Sequence, residues 1–362
     1  MFDITLLPAA EGDAIWIEYG EGDARHHICI DGGPFHTFPA LCEHARKCLP
    51  SRNRTVELLV ISHIDGDHIE GVVRMLAGPR TNWLFYPDEI WFNGYHHLLG
   101  NTLGARDGEY LSALLRKHAP QAWNKSFHGV AVIMENVPQK PMTLPGGMEI
   151  TLLSPNRDKL GKLRGKWRTD LSKAGLAPGD DKRTLARLHA DRRYRKAGAR
   201  TLGKAGTDEI EELFRQVDDS AANGSSIAFL AHFKGASCLF LADAHADILA
   251  SSIKAILPEG AERLEVDAVK VSHHGSSNNI SDELLGLIDA RHYLFSTNGA
   301  RHLHPHQATI DAILQHSLKD PVLWFNHRSP STAPFEQMQG RRTHRTEYPA
   351  SPEAGMTLQL LT

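Results

Sequence analysis

The stretch His63-Ile64-Asp65-Gly66-Asp67-His68 constrains this chain more than any other, because it places two imidazoles and two carboxylates on six residues. It follows the apolar run Val56-Glu57-Leu58-Leu59-Val60-Ile61, which reads as a buried strand. It precedes Ile69-Glu70-Gly71-Val72-Val73-Arg74-Met75-Leu76, which reads as the first turns of a helix. Like charges this close repel unless a cation neutralises them, and His and Asp are ordinary ligands for Zn²⁺ or Mn²⁺. The plain alternative is a polar loop before a helix N-terminus, where carboxylates are welcome. That accounts for one Asp but not for both together with two His. A metal site on a strand-to-helix loop is the expectation.

The same punctuation recurs later. Asp243 follows the apolar Cys238-Leu239-Phe240-Leu241-Ala242, where it either reaches into a site or caps a helix starting near Ala244. Val271-Ser272 ends another apolar run at His273-His274-Gly275-Ser276-Ser277. A lone His is more often structural; two adjacent at a strand end point to a ligand or acid/base role. Thr297-Asn298-Gly299 and His302-Leu303-His304-Pro305-His306 follow a further strand. Strand ends that repeatedly carry His or Asp are how a metal centre is assembled on a sheet scaffold.

Strands are expected at 2–7, 14–19, 26–30, 56–61, 89–92, 148–153, 225–233, 237–241, 266–271, 292–296, 322–325 and 356–361. Helices are expected at 38–48, 69–76, 244–256, 281–288 and 308–316. An initial meander followed by alternating strands and helices predicts an α/β protein, two sheets covered by helices in a four-layer αββα sandwich. The 362 residues are read as one domain, 1–362, with a basic insertion or lid at about 157–222. From 157 to 204 there are 16 Lys/Arg against 5 Asp/Glu, in a chain whose net charge is −3. No apolar run reaches the roughly 18 to 20 residues of a membrane span, and no leader pattern opens the chain. The four cysteines show no CxxC spacing and read as reduced thiols, so a cytoplasmic protein without membrane attachment is expected.

Taken together, these residues resemble the metallo-β-lactamase superfamily, and more narrowly its ComEC-type branch of DNA-uptake nuclease domains. Gly12-Asp13-Ala14 and Asp31-Gly32-Gly33 look like its opening strands, and Ser62 to His68 like its metal loop. Asp243 looks like its metal-bridging Asp, Lys270 to Ser276 like its HHGS signature, and His304-Pro305 like its late His-Pro. Two departures stand out. The superfamily's HxHxDH has Asp65 for its second His, which shifts preference towards Mn²⁺ or Mg²⁺ with Zn²⁺ still accommodated. Asn223 stands where a third His would fall, so one metal is held weakly or the nearby ligand set is rearranged.

The resemblance implies two divalent ions (Zn or Mn, with Mg possible) sharing a hydroxide that attacks phosphorus in line. His63, Asp65, Asp67, His68 and Asp243 are the implied ligands, completed by one of His273 and His274, with His274 the chosen one. Asp67, His273, His274 and His304 are the implied catalytic residues. Asp31 is expected to orient a ligand His. Asn223 is a neighbouring residue, and Ser276, Ser277 and Asn298 are expected to donate to substrate oxygens. Three readings follow. The first is a nuclease, in which Arg192, Arg193, Arg195 and Lys196 hold backbone phosphates and Trp167 and Tyr194 stack on bases. The second is a hydrolase of a small phosphodiester or other small electrophile. The third is a non-catalytic module that keeps metal for structure or serves as a partner-docking subunit, a reading favoured by Asn223.

Overall fold

The computed structural model describes residues 1–98, 106–138, 141–195, 218, 220–336 and 343–362. The first half builds β1 (Phe2–Leu6), β2 (Ile15–Glu21), β3 (Ala24–Ile30), α1 (Phe38–Cys48), β4 (Thr55–Val60), α2 (Gly66–Ala77), β5 (Tyr86–Trp91) and α3 (Arg106–His118). Next come β6 (Met142–Thr143), β7 (Glu149–Ser154), α4 (Arg157–Lys173), α5 (Asp181–Ala190), α6 (Arg192–Arg195) and α7 (Ala221–Gly224). The second half continues with β8 (Ala228–Phe233), β9 (Ala236–Phe240), α8 (Ala246–Ile256), β10 (Leu264–Lys270), α9 (Asp282–Gly286) and β11 (Ile288–Phe295). It closes with α10 (Gln307–His316), β12 (Val322–Phe325), β13 (Arg345–Glu347) and β14 (Met356–Leu361).

One sheet runs β14-β1-β2-β3-β4-β5 and the other β13-β12-β11-β10-β9-β8-β7-β6. Pairing is antiparallel where a turn or loop without a helix joins neighbours, as in β1–β2–β3 and β8–β9. It becomes parallel where a helix crosses over, as in β3–β4–β5 and β9–β10–β11–β12. Successive side chains on a strand point to opposite faces. Leu58 and Val60 on β4 accordingly join Ile150, Phe229 and Phe240 in the layer between the sheets. Leu59 and Ile61 face outward into a cluster with Leu41, Ile69, Val72, Leu111 and Leu114 from α1, α2 and α3. On the far side Leu239, Val269 and Phe295 pack against Leu249, Leu284 and Ile310 from α8, α9 and α10. The four layers are therefore helices, sheet, sheet, helices: an αββα sandwich. Burial on both faces is why the strands read as continuous apolar runs rather than alternating ones.

The basic segment is not a loose appendage in its described part. Leu160, Leu163, Trp167 and Leu171 of α4 bury in the same cluster as α2 and α3. The guanidinium of Arg116 on α3 forks onto Asp181 of α5, with Nε–Oδ2 at 2.8 Å. Residues 196–217 of the insertion expected at about 157–222 lie outside the described residues. Among the described residues no helix is long and apolar enough to cross a membrane.

Candidate metal centre

All the recurrent His/Asp strand ends meet at the carboxyl edge of the parallel strands, the usual place for a site in such sheets. After β3, Asp31-Gly32-Gly33 turns sharply against α2. A Cβ on Gly32 would sit 2.6 Å from the Val72 nitrogen, so a side chain there would push the helix away. Close approach lets Gly32 N–H donate to the His68 carbonyl at 2.8 Å and Gly71 N–H to the Gly33 carbonyl at 2.9 Å. The Gly12 loop presses on the metal loop in the same way; a Cβ there would lie 1.8 Å from the Asp67 oxygen. On the other half His273 and His274 both adopt left-handed backbone, φ 45° and 55°. That turn is pinned by His273 N–H to the Ala242 carbonyl at 2.8 Å.

Four imidazoles are held by one rule. Asp31 is wholly buried and accepts from Ser62 N–H at 2.8 Å, Ser62 Oγ at 2.6 Å and His68 Nδ1 at 2.8 Å. Since the Ser62 hydroxyl gives its hydrogen to Asp31, its oxygen accepts from His63 Nδ1 at 3.0 Å. His274 Nδ1 donates to the Ser296 carbonyl at 2.8 Å, and His273 Nδ1 to Asn279 Oδ1 at 2.7 Å. Each ring thus has its Nδ1–H occupied and its Nε2 directed inward. Those four Nε2 atoms surround one carboxylate oxygen. Asp243 Oδ2 lies 3.8 Å from His63, 3.5 Å from His68, 3.7 Å from His273 and 3.8 Å from His274. Asp67 Oδ2 lies 3.7 Å from His274 Nε2 and 3.9 Å from His68 Nε2, and Asp65 Oδ2 lies 3.8 Å from His63 Nε2.

This arrangement could hold divalent cations. His68 and His274 bring their Nε2 atoms to 3.3 Å, where two lone pairs cannot face each other without a positive charge between them. His63 Nε2 and Asp243 Oδ1 are buried without any partner, a loss of about 1–3 kcal/mol each unless something binds them. The sets His63–His68–Asp243 and Asp67–His68–His274 each bring three ligand atoms within 4.8 Å of one another. Imidazole nitrogens with carboxylate oxygens suit Zn²⁺ and Mn²⁺. Asp65 precedes α2 but its side chain makes no capping bond, and the residue preceding α8 is His245 rather than Asp243, so neither carboxylate caps a helix.

The charges explain how the fold tolerates the cluster without cations. Burial pushes the Asp243 carboxyl up, but the charges of His68, His273 and His274 outweigh it and hold it well below the usual carboxylate range. Burial pushes His274 down, yet Asp243 and Asp13 bring it up to about 9. His68 is raised well above its ordinary value against burial, by Asp243 and then Asp31. His63 goes the other way, lowered by burial and by His68.

Several residues were not legible beforehand. Asp13 and Lys270 form a wholly buried ion pair at 2.9 Å beneath His274, with Asp13 Oδ1 3.5 Å from its Nδ1. Asn279 holds His273 while donating to Asp218 Oδ2 at 2.8 Å and to the Asp243 carbonyl at 3.1 Å. Asp218 also accepts from Asn223 Nδ2 at 2.7 Å. The Asn223 amide is thus tied beside His273 rather than set among the ligand groups, although its Oδ1 is buried and unpartnered.

The polar side chains expected to meet substrate are engaged locally. Ser277 Oγ pairs with His306 Nδ1 at 2.9 Å, Ser276 Oγ accepts from Asn278 N–H, and Asn298 Oδ1 accepts from Ala300 N–H. These three side chains shape their own loops and do not line the cavity over Asp243. Thr297, Arg301, His302 and Glu11 do, with His273, His274 and His304, around about 300 Å³. His304 lies outside the donor sets and lines the cavity, and burial with the charges of His273 and His274 drives it well below its ordinary value. Trp167 is wholly buried and offers no face to a base. The Tyr194 hydroxyl donates to Asp107 at 3.1 Å, and the Arg193 guanidinium binds Glu70, Asp107 and Asp191. Arg192 is exposed, Arg195 ends α6, and Lys196 lies outside the described residues.

No family model matches this chain, and no curated protein does. Among solved structures the chain is similar to a mutant of the CmlA beta-hydroxylase, with a TM-score of 0.40 and 13% identity over 99% of this chain and 54% of that one. The chain spans about half the length of that protein. The layer order is that of a four-layer αββα sandwich with a His/Asp cluster at its strand ends.

Proposed function

We propose that this protein is a metal-dependent hydrolase of the metallo-β-lactamase superfamily that cleaves phosphodiesters, with nucleic acid as its substrate. One observation carries the hydrolase reading: four inward Nε2 atoms lie 3.5–3.8 Å from a single buried carboxylate oxygen, beside a cavity. The order of motifs along the chain, which resembles the ComEC-type branch, supports the phosphodiester. His63, Asp65, Asp67, His68, Asp243 and His274 would hold two divalent ions. Such ions, when bound, act as Lewis acids and bring the pKa of water towards neutrality.

The chain's own groups do the rest. Asp31 keeps His68 and, through Ser62, His63 in the tautomer that presents Nε2. His273 is not among the tight donor sets. Its Nδ1–H is fixed on Asn279 and its Nε2 faces inward, so it can hold a proton for the leaving oxygen. Thr297 Oγ1 accepts from Gly299 N–H at 3.0 Å, which leaves its hydrogen free for a substrate oxygen on the cavity wall.

The test is a digestion panel of plasmid, single-stranded oligonucleotide and RNA with Mn²⁺, Mg²⁺ and Zn²⁺, beside Asp67→Ala and His274→Ala. Metal-dependent cleavage that both variants lose is expected; equal cleavage by parent and variants would remove the site from the reaction. A second reading, a small phosphodiester substrate, is favoured by the packing of Trp167, Tyr194 and Arg193 into the protein, which takes them from a nucleic-acid surface. Turnover of bis(p-nitrophenyl) phosphate or a cyclic nucleotide with plasmid left intact would select it.

A further inference from the structure

The cavity wall has an uneven distribution of charge. Glu11, Asp65, Asp67 and Asp243 line it with His273, His274, His302 and His304, and Arg301 is the only Lys or Arg there among the described residues. Arg301 is exposed and makes no ion pair or hydrogen bond within the described protein, even though Glu11 lines the same cavity. Its loop is nonetheless fixed. Asn298 N–H donates to the Ala10 carbonyl at 2.8 Å, Ala300 N–H to Asn298 Oδ1 at 2.9 Å, and Leu303 N–H to the Gly299 carbonyl at 3.1 Å. Gly299 sits at φ 70°, with Ser331 packed where a side chain would project. A long cationic side chain on a pinned loop is presented to the cavity rather than left to wander.

We propose that Arg301 binds a second phosphate, the one flanking the scissile bond, and so selects phosphodiesters that carry an additional anion. This deepens, and rests on, the phosphodiesterase reading above. Arg301 is, among the described residues, the one guanidinium on a wall that otherwise carries carboxylates and imidazoles, so an anion entering the cavity meets it as a donor that Glu11 does not hold. A planar fork of N–H donors matches the oxygens of a phosphate, and a charge-assisted pair of this kind is geometrically selective. A neutral-flanked ester leaves it unused; a polynucleotide or a 5′-phosphorylated dinucleotide does not.

The experiment compares KM for the thymidine dinucleotide with and without a 5′-phosphate, in parent, Arg301→Ala and Arg301→Lys, each with its manganese content measured. The parent should favour the phosphorylated dinucleotide by about tenfold or more, the worth of a hydrogen bond to a charged group. That preference should collapse towards unity in Arg301→Ala and return in part in Arg301→Lys, at equal metal content. A preference that survives Arg301→Ala, or a parent that cleaves both dinucleotides with equal KM, overturns the role of Arg301 while leaving the phosphodiesterase intact. A metal-loaded parent that cleaves neither dinucleotide nor bis(p-nitrophenyl) phosphate overturns both.

Discussion

The two sheets each contribute a pair of imidazoles, and they hold them differently. His63 and His68, from the first sheet, hang on one buried carboxylate, Asp31. His273 and His274, from the second, donate at close range to neutral oxygens, Asn279 Oδ1 and the Ser296 carbonyl, with the carboxylates of Asp218 and Asp13 farther off at 3.5 Å from the same nitrogens. A carboxylate behind a ring makes its far nitrogen more basic and fixes it more firmly than an amide or carbonyl does. The second pair also depends on a strained left-handed turn, while the first sits on a strand end and the first turn of α2. The first pair is thus the preformed half of the centre. The second completes it, and the second brings the group free to move a proton.

The largest effect should come from Asp31→Asn, which removes the charge behind both first-sheet rings. Metal affinity should fall about 100-fold, measured by competition with a chelating dye. Asn279→Ala loosens only His273, and a loss nearer tenfold is expected on the same assay. Equal losses in the two variants would break the contrast between the pairs. A double variant whose losses multiply would sharpen it, since the anchors share no partner.

Acidity provides the next contrast. Without cations His274 is raised from 6.5 to about 9, so its charge favours the fold fully below pH 6.5 and that contribution is lost as pH rises through 9. Cations must displace this proton, so their affinity should climb across the same window, with proton release on binding. Calorimetry in buffers of differing ionisation enthalpy reads the release; affinity that is flat from pH 6.5 to 9 would contradict it. The smallest effect lies away from both pairs. Arg193→Ala cuts the ties between α6 and Glu70 and Asp107 and should cost about 1–2 kcal/mol in urea unfolding, given its partial exposure. A matching loss of nucleic-acid affinity would restore Arg193 to the surface role that its packing argues against.

What could be read from the sequence was whatever lies close together along the chain. The 63–68 loop and the 273–274 pair each keep their chemistry within a few residues of an apolar strand, so their convergence followed from the sandwich. Helix 38–48 and strands 322–325 and 356–361 emerged where apolar runs and breakers said they should. What could not be read was the support assembled over long separations: Asp13 under His274, or Asn279 between Asp218 and His273. A single Asn in a loop has no pattern. Helix α3 went unread, although Tyr110, Leu111, Leu114 and Leu115 give it an apolar stripe. Trp167 was misread for a related reason. Its basic neighbours drew attention, while the spacing Leu160, Leu163, Trp167, Leu171 marks a buried helical face.

The most direct measurement is titration of Mn²⁺ or Zn²⁺ into metal-free protein, with Asp243→Ala as comparison. Two saturable sites in the parent, and loss of at least one in the variant without loss of folded structure by circular dichroism, are what the convergence on Asp243 predicts. No saturable binding in the folded parent, or identical binding in Asp243→Ala, would contradict it.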